Sequence, residues 1–418
     1  MSSQQPGVPQ TRRPSVAPRP AVPPLTTALM ATLLALLIAS LLAACGAPTI
    51  GAAPDAAPDA ASHATSSATS SAMAGVSGTS TTKPSTVYFS AYPNQISALD
   101  AATGALRWRA HISEQPLRPL FAQGAVYFAS QALTGPTTGA SYVSALRASD
   151  GALLWRHKLG DFVLSPPSDA ALAWANGVVY LSAQANIYAI RASDGAQLWK
   201  AKLPTDTAPP AVSDGMVYTL TWSDGPGEQL FVLSASTGAI RWHSAILTGG
   251  ANEPNAPLVA GGMIYADTGD ALYALLVSGG ALRWQAKLPG FSFTPTLVNG
   301  VVYDGNGGMN AFQATTGQLL WSVTVSTPPF EDITQADAAG AYVASYKSFI
   351  AYDPTNGKQR WSVTPLDNSG GSFLTLAGGA IYAVAGNAVA ALNATNGATR
   401  WRTTLPAGAQ AGWPPTIG

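Results

Sequence analysis

The sequence carries little charge and almost no cysteine. Asp, Glu, Lys and Arg make up 10% of its 418 residues, and the 21 basic residues balance the 21 acidic ones. Because no excess of positive charge is available to neutralise phosphates, we expect no nucleic-acid partner. The one cysteine, Cys45, excludes a disulfide framework, a cysteine-based zinc site and covalent haem attachment.

Catalytic motifs are lacking too. There is no H-E-x-x-H, no G-x-S-x-G and no P-loop, and the four histidines are scattered along the chain. What is present is 47% hydrophobic residues with 41 Gly and 32 Pro, a composition that favours a turn-rich β protein over a disordered chain or a helical bundle. We therefore expect a non-enzymatic protein without a metal or a cofactor.

The N-terminal segment has the composition of a targeting signal. Residues 1–24 contain three arginines, and the 20 residues from Leu25 to Ala44 are uncharged. Ala43 and Ala44 before Cys45 resemble a bacterial lipobox, which predicts a signal peptide over residues 1–44 and a lipid-modified Cys45. An uncleaved helix is the alternative, since 20 residues at about 1.5 Å each could span about 30 Å of hydrocarbon. Both readings place the remainder outside the cytoplasm, held at the cell membrane.

Residues 45–85 follow as a predicted tether. After Cys45 they consist almost entirely of Ala, Ser, Thr, Pro and Gly, with too few large apolar groups to offset the entropy of ordering. A coil of 40 such residues has a root-mean-square reach of about 35 Å. The tether would hold the following domain, residues 86–418, clear of a lipid surface.

A repeat dominates residues 86–418. Eight times a Gly is followed four residues later by a Trp, and successive Trp residues are 37 to 47 positions apart, the range typical of β-propeller blades. The repeated Trp residues are Trp108, Trp155, Trp199, Trp242, Trp284, Trp321, Trp361 and Trp401.

Each repeat predicts four strands, A to D. In the third repeat we assign strand A to 171–176, B to 178–182, C to 187–192 and D to 196–203, with Asp194-Gly195 turning C into D. The fold class is therefore all-β, an eight-bladed propeller of four-stranded antiparallel blades.

Strand D alternates between apolar and charged positions from the Trp onward. The Trp and the fourth residue after it, such as Leu203 or Ile246, share one predicted buried face. The residue six positions before each Gly on strand C is Ala in seven repeats and Val232 in the fourth. A small residue there leaves room for a neighbouring indole, so we expect each Trp to pack between blades in a structural role.

Strand order predicts how the ring closes. The first repeat begins at Val87-Tyr88, which matches strand B of later repeats, and nothing before it can serve as strand A. Residues 413–418 resemble the strand A openings at Pro209 and Thr294. The C-terminus should therefore supply the missing innermost strand of blade 1.

The unit A-x-D-x-x-T-G-x-x-x-W resembles the tryptophan-docking repeat of quinoprotein, or PQQ-type, eight-bladed propellers. The resemblance covers residues 86–418, and the first repeat matches every position, with Ala98, Asp100, Thr103, Gly104 and Trp108. Two branches share this repeat, the PQQ-dependent dehydrogenases and the BamB-type lipoproteins of outer-membrane assembly.

The dehydrogenase branch implies a quinone stacked on an indole, a calcium ion, a catalytic Asp and often a vicinal disulfide. One cysteine cannot form that disulfide, and about 42 residues per blade leave no room for the long insertions of those enzymes. The resemblance therefore implies the fold and a scaffold function. A PQQ-dependent oxidoreductase is the alternative.

Loop lengths indicate where a protein partner would bind. The B-to-C and D-to-A connections share one face of a propeller, and all four lengthened segments of this chain fall there, around blades 2–5. Candidate partner-binding residues in or near these segments are Trp222, Asp224, Glu228, Asn252, Glu253, Asn255, Phe330, Glu331 and Asp332. Exposed acids, amides and aromatics could anchor a partner; the alternative is solvated loops that bind nothing.

Overall fold

Eight antiparallel sheets follow one another along the chain. The computed structural model describes residues 85–135, 138–163, 172–222, 227–247, 254–288, 294–305, 308–325, 333–345, 348–364 and 372–418. The predicted signal peptide, Cys45 and the tether up to residue 84 lie outside the described residues. Within them all regular structure is β-strand, and no helix is long and apolar enough to cross a bilayer.

The first four sheets form blades 1–4. Blade 1 contains β1 (Thr86–Tyr92), β2 (Gln95–Asp100) and β3 (Leu106–His111), completed by β34 (Gln410–Ala411) and β35 (Thr416–Ile417). Blade 2 contains β4 (Gln115–Pro116), β5 (Leu120–Ala122), β6 (Ala125–Gly135), β7 (Thr138–Arg147) and β8 (Leu153–Lys158). Blade 3 contains β9 (Ala173–Ala175), β10 (Val178–Ala183), β11 (Asn186–Arg191) and β12 (Gln197–Lys202). Blade 4 contains β13 (Asp206–Thr207), β14 (Ala211–Ser213), β15 (Met216–Trp222), β16 (Gln229–Ser234) and β17 (Ile240–His243).

The remaining sheets form blades 5–8. Blade 5 contains β18 (Leu258–Ala260), β19 (Met263–Asp267), β20 (Ala271–Leu276) and β21 (Leu282–Lys287). Blade 6 contains β22 (Thr296–Val298), β23 (Val301–Asp304), β24 (Gly308–Gln313) and β25 (Leu319–Thr324). Blade 7 contains β26 (Ile333–Ala336), β27 (Ala341–Ser345), β28 (Ser348–Tyr352) and β29 (Gln359–Val363). Blade 8 contains β30 (Ser372–Ala377), β31 (Ala380–Ala385), β32 (Ala388–Asn393) and β33 (Thr399–Thr404).

The eight-bladed propeller predicted from the repeat is confirmed, and the third blade shows how closely the strands follow the sequence pattern. Its four strands begin and end within two residues of the predicted bounds. The hydrophobic core is divided into clusters that each span two neighbouring blades, as in the cluster that joins Tyr180 and Trp199 of blade 3 to Phe231 of blade 4. Side chains from adjacent blades therefore share one buried layer.

The repeated Trp residues join the blades, as the sequence predicts. Six of them are 8–9% exposed, whereas Trp242 and Trp361 are partly exposed. Seven indole N–H groups donate to a backbone carbonyl in the C-to-D turn of the next blade, for example Trp108 to Ala148 at 2.8 Å. The same carbonyl accepts a hydrogen bond from the strand B tyrosine, Tyr88, at 3.3 Å.

The residue that leaves space for each indole is not the small strand C residue expected from the sequence. The small residue on strand C lies opposite the Trp of its own blade, as Ala98 does opposite Trp108. The turn Gly of the next blade meets the indole, since a Cβ on Gly151 would lie 2.6 Å from Trp108 Cε3. All eight turn glycines meet a Trp in this way.

The ring closes as predicted, with the C-terminus supplying strand A of blade 1. In the closing pair, Val87 lies opposite Ile417 and Tyr88 opposite Thr416. The Gly418 carbonyl accepts hydrogen bonds from the N–H groups of Ser85 and Thr86, at 2.8 and 2.9 Å. The Trp401 N–H of blade 8 donates to Ala101 O of blade 1 at 2.9 Å, which completes the circle of docked tryptophans.

Strand D of blade 4 departs from the predicted alternation. Ile246, expected to be buried, is 62% exposed, and Leu247 is buried instead at 6%. The strand ends at His243, and the Ser244 hydroxyl accepts a hydrogen bond from the Leu230 N–H at 3.0 Å. The Ser244 N–H still donates to Leu230 O at 2.9 Å, so the Ser244 side chain replaces only one of the two backbone bonds of this residue pair. The buried position shifts by one residue at this irregularity.

Candidate functional site

The B-to-C and D-to-A connections lie at one face of the propeller, here called the loop face, because sequential strands of every blade run antiparallel. On this face the lengthened B-to-C segment of blade 2 is a hairpin. Its strands β6 and β7 have 11 and 10 residues, whereas the other strands B and C have four to seven. The extra residues thus extend the sheet of blade 2 at the loop face.

Three of the nine candidate partner-binding residues fall within the described residues. Trp222 ends β15 at the loop face, lies opposite Asp206 in register and is partly exposed. Glu228 and Asn255 are each only 4% exposed, so the expectation that they present their side chains to a partner is wrong. The other six, Asp224, Asn252, Glu253, Phe330, Glu331 and Asp332, lie outside the described residues.

The backbone of Glu228 joins two segments of the loop face. Its N–H donates to Leu247 O at 3.1 Å, and its carbonyl accepts from Leu247 N–H at 2.8 Å. This bridge connects the B-to-C loop of blade 4 to the connection between blades 4 and 5. The Glu228 side chain is only 4% exposed, so a polymer partner cannot reach it.

A cluster of buried carboxyl groups extends from Glu228 across blades 4, 5 and 6. Asp267, the last residue of β19, is 2% exposed, and Asp304, the last residue of β23, is 0% exposed. Asp267 Oδ1 accepts a hydrogen bond from Gly269 N–H at 2.8 Å. We call Glu228, Asp267 and Asp304 the acidic cluster.

The surroundings of Glu228 and Asp304 favour the neutral forms of these two carboxyl groups. Burial, together with repulsion from Asp267 and the exposed Asp270, raises the pKa of Glu228 to about 9. Burial also raises the pKa of Asp304 well above its ordinary value, and the adjoining Asp267 carboxyl raises it further. Moving an unpaired carboxylate out of water is costly, so such groups keep their protons instead.

The acidic cluster does not have the arrangement of a metal site. Within the described part of the chain, no group of three or more His, Cys, Asp or Glu side chains is placed to hold a metal ion. The three carboxyl groups of the acidic cluster are also closed off from solvent, with exposures of 4% or less. The acidic cluster therefore does not fit the calcium site that the dehydrogenase resemblance implies.

Two further polar clusters hold connecting segments against the blades that follow them. Asp161 follows β8 and accepts hydrogen bonds from Tyr188 Oη and from Lys200 Nζ of blade 3, the latter at 2.6 Å. Although burial raises the pKa of Asp161, these two hydrogen bonds lower it overall. All three groups are engaged with one another, so the cluster fixes the connection between blades 2 and 3.

The second of these clusters repeats the arrangement one blade earlier. Glu114, which precedes β4, pairs with Arg156 of β8, and the Arg156 guanidinium lies 3.8 Å from the centroid of the Tyr142 ring. A cation above an aromatic face, paired with a carboxylate, stabilises packing at a blade edge. Both clusters thus position loop-face segments.

Sequence analysis missed Asp267 and Asp304. The available signal was an acid one or two residues after the strand B tyrosines, Tyr265 and Tyr303, where other repeats have smaller or apolar residues. Such an acid in a strand that is otherwise buried needs a partner or a proton. The sequence gives no indication that these two acids, from different blades, lie side by side.

Comparison with known proteins agrees with this architecture. A family profile described as outer membrane protein assembly factor BamB matches residues 56–135, 139–299, 233–344 and 305–415. No curated protein sequence matches the chain significantly.

Solved structures share the fold at low sequence identity. BamB from Moraxella catarrhalis is 18% identical with a TM-score of 0.55, over 72% of this chain and 88% of that one. Quinohemoprotein alcohol dehydrogenase from Comamonas testosteroni is 13% identical with a TM-score of 0.55, over 72% and 68%. Apo AztD from Citrobacter koseri is 12% identical with a TM-score of 0.58, over 81% and 99%.

These likenesses include an assembly factor and a dehydrogenase, so they establish the fold alone. The family profile, in contrast, spans nearly the whole propeller. The chain belongs to the PQQ_2 repeat family, the family described as outer membrane protein assembly factor BamB.

Proposed function

We propose that this chain is a lipid-anchored, extracytoplasmic scaffold that binds protein partners through its loop face around blades 2–5, in envelope or membrane-protein assembly. The observation that carries the proposal is the contrast between the two faces of the ring. The C-to-D turns repeat with little change because each docks a Trp. The loop face carries the extended hairpin of β6 and β7 and the lengthened loops of blade 4. Variable loops on a rigid ring are where binding residues are expected.

Attachment to the membrane rests on the sequence. Ala43, Ala44 and Cys45 form the lipobox-like end of an uncharged stretch, and the following tether is long enough to separate the ring from the lipid. Membership of a family described by an assembly factor supports a role at the envelope. A tethered ring with one variable face suits the capture of a partner beside a membrane.

A photocrosslinking experiment tests the partner surface. A photoreactive phenylalanine analogue replaces Trp222 in the full chain within the native host, and the matched control carries it at Tyr92. Both residues are aromatic, both end a strand B, and Tyr92 is 55% exposed on blade 1. We expect a discrete protein adduct from position 222 and none from position 92.

A second variant checks that the adduct reflects binding. Combined replacement of Trp222 and Glu253 by Ala, in a chain without the photoreactive residue, should reduce affinity capture of the partner identified by its adduct at least about tenfold, which corresponds to about 1.4 kcal/mol, without lowering the melting temperature. Identical adducts from both positions, or unchanged capture with the double variant, would contradict the proposed surface.

The alternative, a PQQ-dependent oxidoreductase, rests on the fold shared with quinohemoprotein alcohol dehydrogenase. Titrating the purified chain with PQQ and calcium distinguishes the two functions. A scaffold should give no bound quinone chromophore and no dye reduction with alcohols. Saturable quinone binding with turnover would replace the scaffold proposal with the enzyme.

A further inference from the structure

We propose that the acidic cluster, Glu228, Asp267 and Asp304, is a protonated contact between blades 4, 5 and 6 at the loop face. This contact, here called the seam, joins the three blades only while it retains protons. The inference does not depend on the identity of any partner. It concerns how the loop face of these blades is held together, and how the pH of the surroundings could release it.

The first argument is position. Glu228 immediately precedes strand C of blade 4, whereas Asp267 and Asp304 end strand B in blades 5 and 6. Both kinds of position lie at the loop-face end of a blade. Three consecutive blades therefore each contribute one carboxyl group to one buried region, with exposures of 4%, 2% and 0%.

The second argument is that, among the described residues, neither hydrogen bonds nor cations compensate the burial of the Glu228 and Asp304 carboxyl groups. Neither oxygen of the Glu228 or Asp304 carboxyl accepts a hydrogen bond from any group in the described part of the chain. The charged groups that act on these two side chains are Asp267 and Asp270, and both are acidic. Buried carboxylates without a cation or donors are unfavourable, and adjacent like charges make them more so.

Protonation of these carboxyl groups removes the unfavourable burial of adjacent negative charges. Asp304 and Asp267 lie within hydrogen-bonding reach of each other. A bond between two carboxyl groups requires that one carries a proton, and two acids at such a distance ionise one at a time. Protonated Asp304 or Asp267 can thus donate to the other across the boundary between blades 5 and 6. Protonated Glu228 removes the repulsion between blades 4 and 5.

One residue of the seam, Glu228, belongs to the lengthened B-to-C segment of blade 4, which is part of the proposed partner surface. The Glu228 backbone forms the bridge to Leu247 that holds the B-to-C loop of blade 4 against the connection to blade 5. A negative charge on Glu228 would favour hydration of its side chain. Hydration requires the two segments to separate, so proton loss should loosen this part of the loop face.

The direction of the pH dependence follows from the difference between the folded and unfolded chains. An ordinary Glu loses its proton around pH 4.5, whereas in the fold the pKa of Glu228 is raised to about 9. Between these values the folded chain binds more protons than the unfolded chain, so stability decreases as pH rises. The decrease should level off above about pH 9, where Glu228 is ionised in both states.

Thermal unfolding of the full chain between pH 5 and pH 9 tests the seam. Glu228→Gln and Asp304→Asn replace each acid by a neutral group of similar shape. Asp214→Asn is the matched control, because Asp214 is exposed in an A-to-B turn whose positive φ of 48° also suits Asn. We expect E228Q to melt at least about 3 °C above the unaltered chain at pH 9 and to show a flatter pH dependence. D214N should follow the unaltered chain. Equal pH dependence of the E228Q and unaltered chains would overturn the proposal.

Infrared spectroscopy gives a readout that does not require the variants to fold. The unaltered chain at pH 7 should show the carbonyl stretch of a protonated carboxyl group, shielded from exchange with deuterated solvent. Loss of that band on raising the pH above 9 would support the seam. Its absence at pH 7 would rule the seam out.

Calcium chloride and magnesium chloride test the competing interpretation of buried acids. Either salt, added at pH 8, should leave the melting temperature of the unaltered chain within about 1 °C of a sodium chloride control at equal ionic strength. A rise that E228Q abolishes would overturn the seam and assign a cation site to the same residues.

Discussion

At the residue scale, the contact between an indole and a turn glycine recurs in all eight blades. Gly151 has a φ of +74°, which favours glycine, and its missing Cβ leaves space for the Trp108 ring. Gly151 therefore meets two requirements, a left-handed backbone and space for the indole. Comparison with a glycine that meets only the first can separate their contributions to stability. Gly124 has a φ of +75° but nothing within 4 Å of the position of its Cβ.

We expect Gly124→Ala to lower the free energy of unfolding by about 1–2 kcal/mol, the cost of a left-handed backbone for an L-residue. Gly151→Ala should lower it by a further 1–3 kcal/mol or so, because the new methyl group overlaps the Trp108 ring. Urea unfolding followed by tryptophan fluorescence measures both. Equal effects of the two substitutions would show that the indole contact contributes little.

The contact between Gly and Trp also shows which features of the fold the repeated sequence pattern can predict and which it cannot. The Gly-x-x-x-Trp spacing predicts that each Trp is structural and packs between blades, and the structure confirms this. The pattern does not reveal that the Gly of one repeat meets the Trp of the preceding repeat. That pairing depends on the position of the next blade, which the sequence of a single repeat does not specify.

At the element scale, strands β34 and β35 close the ring through contacts with two other blades as well as with β1. Thr375 Oγ1 of blade 8 donates to Pro415 O at 2.6 Å, and the Phe121 N–H of blade 2 donates to Thr416 Oγ1 at 3.3 Å. The C-terminal strand thus joins blades 8, 1 and 2. Without it, β1 would present an unpaired inner edge.

Deleting residues 411–418 should lower the melting temperature by at least about 5 °C, because several hydrogen bonds of about 1 kcal/mol each are lost with the apolar contacts of the strand. Differential scanning calorimetry measures the shift. The control chain carries eight added Gly and Ser residues after Gly418 and should melt with the unaltered protein. A truncated chain that melts at the original temperature would show that closure does not depend on this strand.

At the scale of the whole molecule, the eight blades form a closed ring although the chain that builds them has two free ends. Gly418 and Ser85 are hydrogen-bonded neighbours, and every blade docks its Trp on the next. The position of the chain ends should therefore matter little to stability, provided that they interrupt a turn and not a strand.

A circular permutant tests this continuity. Joining Gly418 to Ser85 by a short Gly/Ser linker and opening the chain between Gly261 and Gly262, in the A-to-B turn of blade 5, should keep the melting temperature within about 3 °C. A second permutant, opened at Ala274 in the middle of β20, should fail to fold cooperatively because it divides a buried strand. Similar behaviour of the two permutants would argue against a ring stabilised by intact blades.

The amino-acid sequence by itself determined the number of blades, the position of each Trp, the bounds of the strands in the third blade and the origin of the closing strand. These features depend on residues close together in the chain or on a repeated register, and local periodicity reports both. Only the tertiary structure decided that Glu228 and Asn255 are buried, that Leu247 replaces Ile246 in the core, and that Asp267 and Asp304 adjoin. The physical reason is that these outcomes depend on which strand ends meet after the ring closes, and neighbouring blades place there residues that the chain keeps far apart.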